Sequence, residues 1–104
     1  MELPLHPLHV QKLSEARSCL AALADASPYE QSIEYEGALL ELDALHHGRY
    51  PATVEMPGSL GELRCLAELT LEALIDLGAD ALRIELILAR LDDLGPPDSR
   101  NSPL

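Results

Sequence analysis

The chain has 104 residues, with 7 Lys and Arg against 18 Asp and Glu, which gives a formal net charge of −11. That length predicts one domain, and the acidic balance argues against nucleic acid as a direct ligand, because phosphate contacts require clustered basic side chains. An acidic surface instead favours a basic protein partner or cations.

Composition favours an all-α fold. Leu and Ala dominate, Phe and Trp are missing, and Tyr occurs only 3 times, so the residues typical of strands are scarce. No apolar run is long enough to cross a membrane, and the first ten residues lack the charged and apolar regions of a signal peptide. A cytoplasmic protein with reduced cysteines is therefore expected.

The first helix is predicted over about residues 9–24. Residues 1–8 are expected to form an extended lead, because Pro4 and Pro7 disfavour helix around them.

The second helix is predicted over about residues 28–47. Ser27 and Glu30 have the spacing of a capping box, with a proline between them at the first helical position. Gly48 is a typical residue just after a helix end, and Gly37 in mid-helix indicates a close crossing by a neighbour. The short connection predicts that helices one and two form an antiparallel hairpin.

The connection over residues 49–58 is longer than the others and is expected to cover one end of the bundle. Long connections often carry function, so a functional role of this loop is one open interpretation. Residues 95–104 have the composition of a disordered tail.

The strongest pattern is an apolar stripe over residues 60–94, which predicts one long C-terminal helix with Ser59 and Glu62 as a capping box. Its spacing alternates between three and four residues. Gly78 is the one weak point, since it allows either a kink or two helices with Asp80 capping the second. The unchanged phase of the stripe across Gly78 favours a continuous helix.

A helix of that length would be about twice as long as either partner in the hairpin at 1.5 Å per residue. The uncovered half would need another copy of the chain. The sequence therefore predicts a helical bundle completed by homodimerisation. If the helix breaks at Gly78, a self-contained bundle of four helices becomes the alternative.

Four acidic residues follow one another at i, i+4 spacing on this segment: Glu68, Glu72, Asp76 and Asp80. Like charges at that spacing are mildly destabilising on a helix. One interpretation is a docking strip for a basic partner or a cation site, and the other is a solvated helix face.

Asp43, His46 and His47 are the candidate metal ligands, since a carboxylate three residues before a histidine lies on the same helix face. The alternative is that these histidines interact with the carboxyl end of their helix, and no metal or cofactor is predicted. His6 and His9 are interpreted as surface residues.

Cys19 and Cys65 are isolated and do not have the spacing of a zinc or redox motif, so both are expected to be small buried side chains.

Residues 76–94, with the sequence DLGADALRIELILARLDDL, resemble the attachment segment and recognition helix of acyl carrier proteins. The resemblance places the family's attachment serine at Ala81, which has no hydroxyl group to carry the prosthetic group. It implies a carrier-like protein that presents an acidic helix to a partner enzyme.

No conventional catalytic motif is present in the sequence. The chain is therefore interpreted as a small acidic, non-enzymatic interaction or regulatory module that binds a protein partner through helix faces. The alternative is a metal-binding or small-ligand-binding helical bundle that uses carboxylates together with His46 and His47.

Overall fold

Four α-helices make up the part of the chain that the computed structural model describes, residues 7–95. They are α1 (Pro7–Ala26), α2 (Tyr29–Leu45), α3 (Leu60–Asp76) and α4 (Ala81–Leu94). No strand occurs among these residues, which confirms the all-α prediction. Within them, no helix has both the length and the apolar character needed to cross a membrane. The predicted tail after Gly95 lies outside the described residues, as does the lead before Pro7.

The predicted start of α3 is confirmed, whereas the starts of α1 and α2 differ from the prediction. Ser59 accepts a hydrogen bond from the backbone of Glu62, whose side chain accepts one in return, so this capping box is confirmed. Ser27 does not cap α2, and its buried Oγ has no hydrogen-bond partner. Helix α1 begins at Pro7, earlier than predicted, because proline is tolerated in the first turn, where its missing N–H is not needed.

The single helix predicted over residues 60–94 is wrong. Gly78 has a φ of 106°, a backbone conformation that glycine adopts without strain. Asp80 then caps α4 by accepting a hydrogen bond from the backbone N–H of Arg83 at 3.2 Å. Residues 77–80 replace about one helical turn, so the apolar spacing stays in phase although the helix does not continue.

This break removes the length argument for a homodimer. Helices α3 and α4 are each no longer than the first two helices, and residues from all four helices contribute to one apolar core. A second copy of the chain is not needed to cover a protruding half-helix. Homodimerisation stays a prediction. Helix length no longer argues for it, so an argument for a dimer would have to rest on exposed apolar residues.

The core is built mainly from leucine. Helix α1 packs most extensively against α3 and then against α2, while α4 packs mainly on α2 and less on α3. Tyr35 is the largest fully buried side chain. The other core residues are mostly aliphatic: Leu13, Leu20, Leu23, Leu42, Leu71, Leu74, Ile84, Ile87 and Leu91.

The loop between α2 and α3 runs along α1 instead of covering one end of the bundle. Arg17 donates a hydrogen bond to the carbonyl oxygen of Pro51, and Ser18 Oγ accepts one from the backbone N–H of Val54 at 2.9 Å. Further on, Met56 borders the same shallow cavity as Asp25 near the end of α1. The loop thus carries the chain back along the bundle, and its length follows from this path.

Arg64 connects α3 to the end of α4. Its guanidinium is largely buried and donates to the carbonyl oxygens of Leu91 and Gly95, the latter at 2.8 Å. It also donates to the hydroxyl of Tyr35 at 3.2 Å and to Glu68 at 2.8 Å. The last carbonyl groups of a helix have no partner within the helix, so Arg64 supplies the donors that α4 needs there.

Gly37 makes room for a side chain of α4. A Cβ at this position would overlap the guanidinium of Arg90, which pairs with Glu41 at 3.2 Å and lies 3.9 Å from Glu34. The close crossing predicted from this glycine is therefore made by the Arg90 side chain.

We expect Gly37→Ala to leave the free energy of unfolding unchanged or to raise it by up to about 1 kcal/mol. Alanine gains about 1 kcal/mol of helix propensity, whereas displacing Arg90 from two exposed ion pairs costs about 1 kcal/mol or less. Urea denaturation measures the difference. A loss above about 2 kcal/mol would mean that the helix backbone at Gly37 is tightly packed.

Candidate functional site

An exposed apolar row follows the outer side of α2. Ile33, Gly37, Leu40 and Ala44 recur at steps of four, three and four residues, so they share one helix face. Leu40 is 67% exposed and Ile33 is 47% exposed. This face is separate from the buried face of α2 that carries Tyr35. Arg90 covers Gly37, but the rest of the row is left uncovered by the bundle.

A second exposed apolar row lies on α4. Leu82 and Leu86 are one helical turn apart and are 70% and 60% exposed, while Ile87 on the neighbouring face is buried in the core. Ala44 of α2 and Leu86 of α4 line the same surface pocket. The two rows therefore meet at this pocket through Ala44 and Leu86. We use the name α2–α4 groove for the pocket together with the exposed apolar residues of both rows: Ile33, Leu40, Ala44, Leu82 and Leu86.

Charged side chains of both signs surround this groove. Arg90 of α4 pairs with acidic residues of α2, as described above, and Arg83 lines the same pocket as Leu86. Exposed carboxylates stand at helical spacing beside the leucines, with Glu36 one turn before Leu40, Glu85 one turn after Leu82 and Asp93 two turns beyond Leu86. The result is an apolar strip bordered by these carboxylates and by the guanidinium of Arg83.

The acidic row predicted on the C-terminal segment is not one continuous strip. Glu68 pairs with Arg64 at 2.8 Å, and Asp80 caps α4 beyond the break. Only Glu72 and Asp76 remain together as exposed residues on one helix. The break at Gly78 is the physical reason, because i, i+4 spacing aligns side chains only within a continuous helix.

Asp43 pairs with Arg17 instead of acting together with the histidines. The Nε and Nη2 atoms of Arg17 donate to its two carboxylate oxygens at 2.7 and 3.2 Å. The guanidinium also stacks over the ring of Tyr50, 3.9 Å from the ring centroid. Both charged side chains are largely buried, at 9% and 14% exposure. This ion pair fixes α1, α2 and the start of the loop to one another.

His9 and His46 form a buried pair between α1 and α2. Their Nε2 atoms are 2.9 Å apart, and the rings meet edge to face with centroids 5.1 Å apart. His9 is 5% exposed and His46 is 8% exposed, so the interpretation of His9 as a surface residue is wrong. Burial lowers the pKa of His46 most strongly. The sequence did not indicate this contact, which depends on how the two helices pack.

The predicted metal ligands do not converge. Asp43 is bound to Arg17, His46 faces His9, and His47 is exposed with a φ of 55° just past the end of α2. Within residues 7–95, no group of three or more His, Cys, Asp or Glu side chains is placed to hold a metal ion. His6 lies outside the described residues.

The two cysteines have different surroundings. Cys19 is buried in the core, and burial together with the charge of Glu15 raises the pKa of its thiol to about 11. Cys65 is exposed on α3, so its predicted burial is wrong. The prediction followed from the usual burial of free cysteines, which does not take account of the helix face that carries the residue.

Among the geometric features, the α2–α4 groove is the best candidate site. No protein-family model matches the chain, and neither a curated protein nor a solved structure matches it. The resemblance to acyl carrier proteins therefore stays confined to residues 76–94.

Proposed function

We propose that this protein is a non-enzymatic interaction module that binds an amphipathic helix of a basic partner protein in the α2–α4 groove. The observation that carries the proposal is the pair of leucines on α4, Leu82 and Leu86, which are 70% and 60% exposed. Leu86 also lines a surface pocket between α2 and α4. Adjacent exposed leucines that border a groove are typical of a surface that another chain covers.

The shape of the groove favours a helix as the bound element. Two antiparallel helices form its walls, because Arg90 near the end of α4 meets Glu34 near the start of α2. A third helix laid along such a groove places residues at i, i+3, i+4 and i+7 against the two apolar rows.

Charge favours a basic partner over a second copy. The chain carries a net charge of −11, so two copies repel each other at long range. The exposed carboxylates beside the groove can pair with lysines or arginines that flank the apolar face of a bound helix. These carboxylates are Glu36, Glu85 and Asp93. Complementary charge of this kind speeds association and selects against acidic partners.

We expect a basic amphipathic peptide to bind this groove, and Leu86→Asp to weaken that binding tenfold or more. Burying one leucine contributes about 1.5–3 kcal/mol, and each 1.4 kcal/mol corresponds to about a tenfold change in affinity. The probe is a labelled peptide of about 18 residues, five helical turns, with leucines on one face and lysines beside them. Fluorescence anisotropy measures its dissociation constant.

Two controls make the test specific. Leu69→Asp introduces the same change at another exposed leucine, on α3, and should leave the affinity unchanged. A peptide with glutamates in place of the lysines should not bind. Equal losses with both aspartate variants, or equal binding of both peptides, would contradict the proposal. Light scattering that shows a dimer which Leu86→Asp dissociates would overturn it in favour of a second copy.

A further inference from the structure

The histidines His9 and His46 form a buried pair of titratable side chains that the interaction surface does not use. It joins the first turn of α1 to the carboxyl end of α2. Because helix ends open more easily than helix centres, a contact at this place controls whether the start of α1 stays docked.

The hydrogen bonds determine where the protons are. His46 Nδ1 lies 3.0 Å from the carbonyl oxygen of Leu42, and a carbonyl oxygen only accepts, so Nδ1 carries a hydrogen. In neutral His46 the Nε2 atom is then an acceptor. At 2.9 Å, His9 Nε2 must be the donor to it.

This arrangement tolerates one additional proton but not two. A proton on Nδ1 of His9 leaves its Nε2–H donating to His46 as before. If Nε2 of His46 is also protonated, both rings are positively charged. Two N–H groups then face each other across the contact. With no acceptor between them, the contact has to open.

The charges around the pair do not offset this repulsion. Within residues 7–95, the charged or titratable groups that act on His46 are His9 from α1 and Asp43 and His47 from α2. Asp43 favours the charged ring, but both of its oxygens already accept hydrogen bonds from Arg17. His9 and His47 oppose the charge, and burial opposes it most, which lowers the pKa of His46.

We propose that the histidine pair is an acid-sensitive contact that releases the start of α1 from α2 when both rings are protonated. Neutral His46 belongs to the folded state, whereas an unfolded histidine takes up its proton at about pH 6.5. The contribution of the pair is therefore complete above about pH 6.5 and is lost progressively as the pH falls below that value.

The test is hydrogen exchange measured by mass spectrometry at about pH 7.5 and about pH 5.5, either side of the ordinary histidine pKa. Rates are corrected for the intrinsic pH dependence of exchange. We expect protection over residues 8–13 to fall several-fold at the lower pH, because the contact that holds the start of α1 in place opens. Protection over residues 63–74 of α3 should change much less.

Variants assign the effect to the pair. His9→Gln and His46→Gln should each remove the pH dependence over residues 8–13, while His47→Gln, at an exposed histidine of the same helix end, should retain it. If His46→Gln does not fold, His9→Gln and the ring ¹⁵N signals of the wild-type protein still decide. Equal protection at both pH values, a pH dependence that persists in His9→Gln, or a hydrogen on Nε2 of His46 at pH about 7.5 would overturn the proposal.

Discussion

Replacing Arg64 by methionine is expected to lower the free energy of unfolding by about 3 kcal/mol. Methionine keeps most of the apolar stem but removes every donor to Leu91, Gly95 and Tyr35. Hydrogen bonds from a charged donor contribute about 1.5–3 kcal/mol each, and buried groups left unpaired carry their own cost. Because the carbonyl groups at the end of α4 are affected together, the loss is less than the sum of its parts.

Urea denaturation with linear extrapolation measures this change. Two milder variants separate the components: Tyr35→Phe removes one partner and should cost about 1 kcal/mol, and Glu68→Gln removes a half-exposed ion pair worth less than about 1 kcal/mol. If Arg64→Met costs no more than these two variants, the end of α4 is held by apolar packing alone.

The second large effect is expected at the ion pair between Arg17 and Asp43. Asp43→Ala leaves the Arg17 guanidinium largely buried with only Pro51 as an acceptor, and should cost about 3 kcal/mol. Removing one partner of a buried pair costs about 3–5 kcal/mol, and the remaining exposure of both side chains reduces this value.

A double-mutant cycle that compares Arg17→Met, Asp43→Leu and the double variant with the wild-type protein tests the coupling. Arg17→Met together with Asp43→Leu should be no less stable than Arg17→Met alone, because a buried pair replaced by apolar side chains leaves no unpaired charge. The expected coupling energy is about 2 kcal/mol. Strictly additive losses would show that the two side chains act independently, despite a separation of 2.7 Å between Nε and Oδ1.

The helices of this fold could be predicted from local signals. Apolar spacing and the Ser59–Glu62 capping box mark elements that the structure confirms. The sequence left a break at Gly78 open as the alternative but favoured a continuous helix, because the four-residue link takes the place of about one turn. Periodicity reports the angle around a helix axis and does not show whether the axis continues.

The candidate groove could be predicted only in part. The row containing Ile33 and Leu40 is visible in the sequence. Its spacing, however, does not show whether a neighbouring helix covers these residues or leaves them exposed. The pairing of His9 with His46, and of Arg17 with Asp43, depends on contacts between residues remote in the chain. Local patterns carry no information about such contacts.

The return path of the loop along α1 affects how fast this bundle folds. Since the loop brings the chain back before α3 begins, the most extensive helix–helix contact joins α1 to α3, and not two consecutive helices. Such a contact requires a long chain segment to close before it forms, which raises the contact order above that of an up-and-down bundle. We therefore expect this protein to fold more slowly than its helix content alone would suggest.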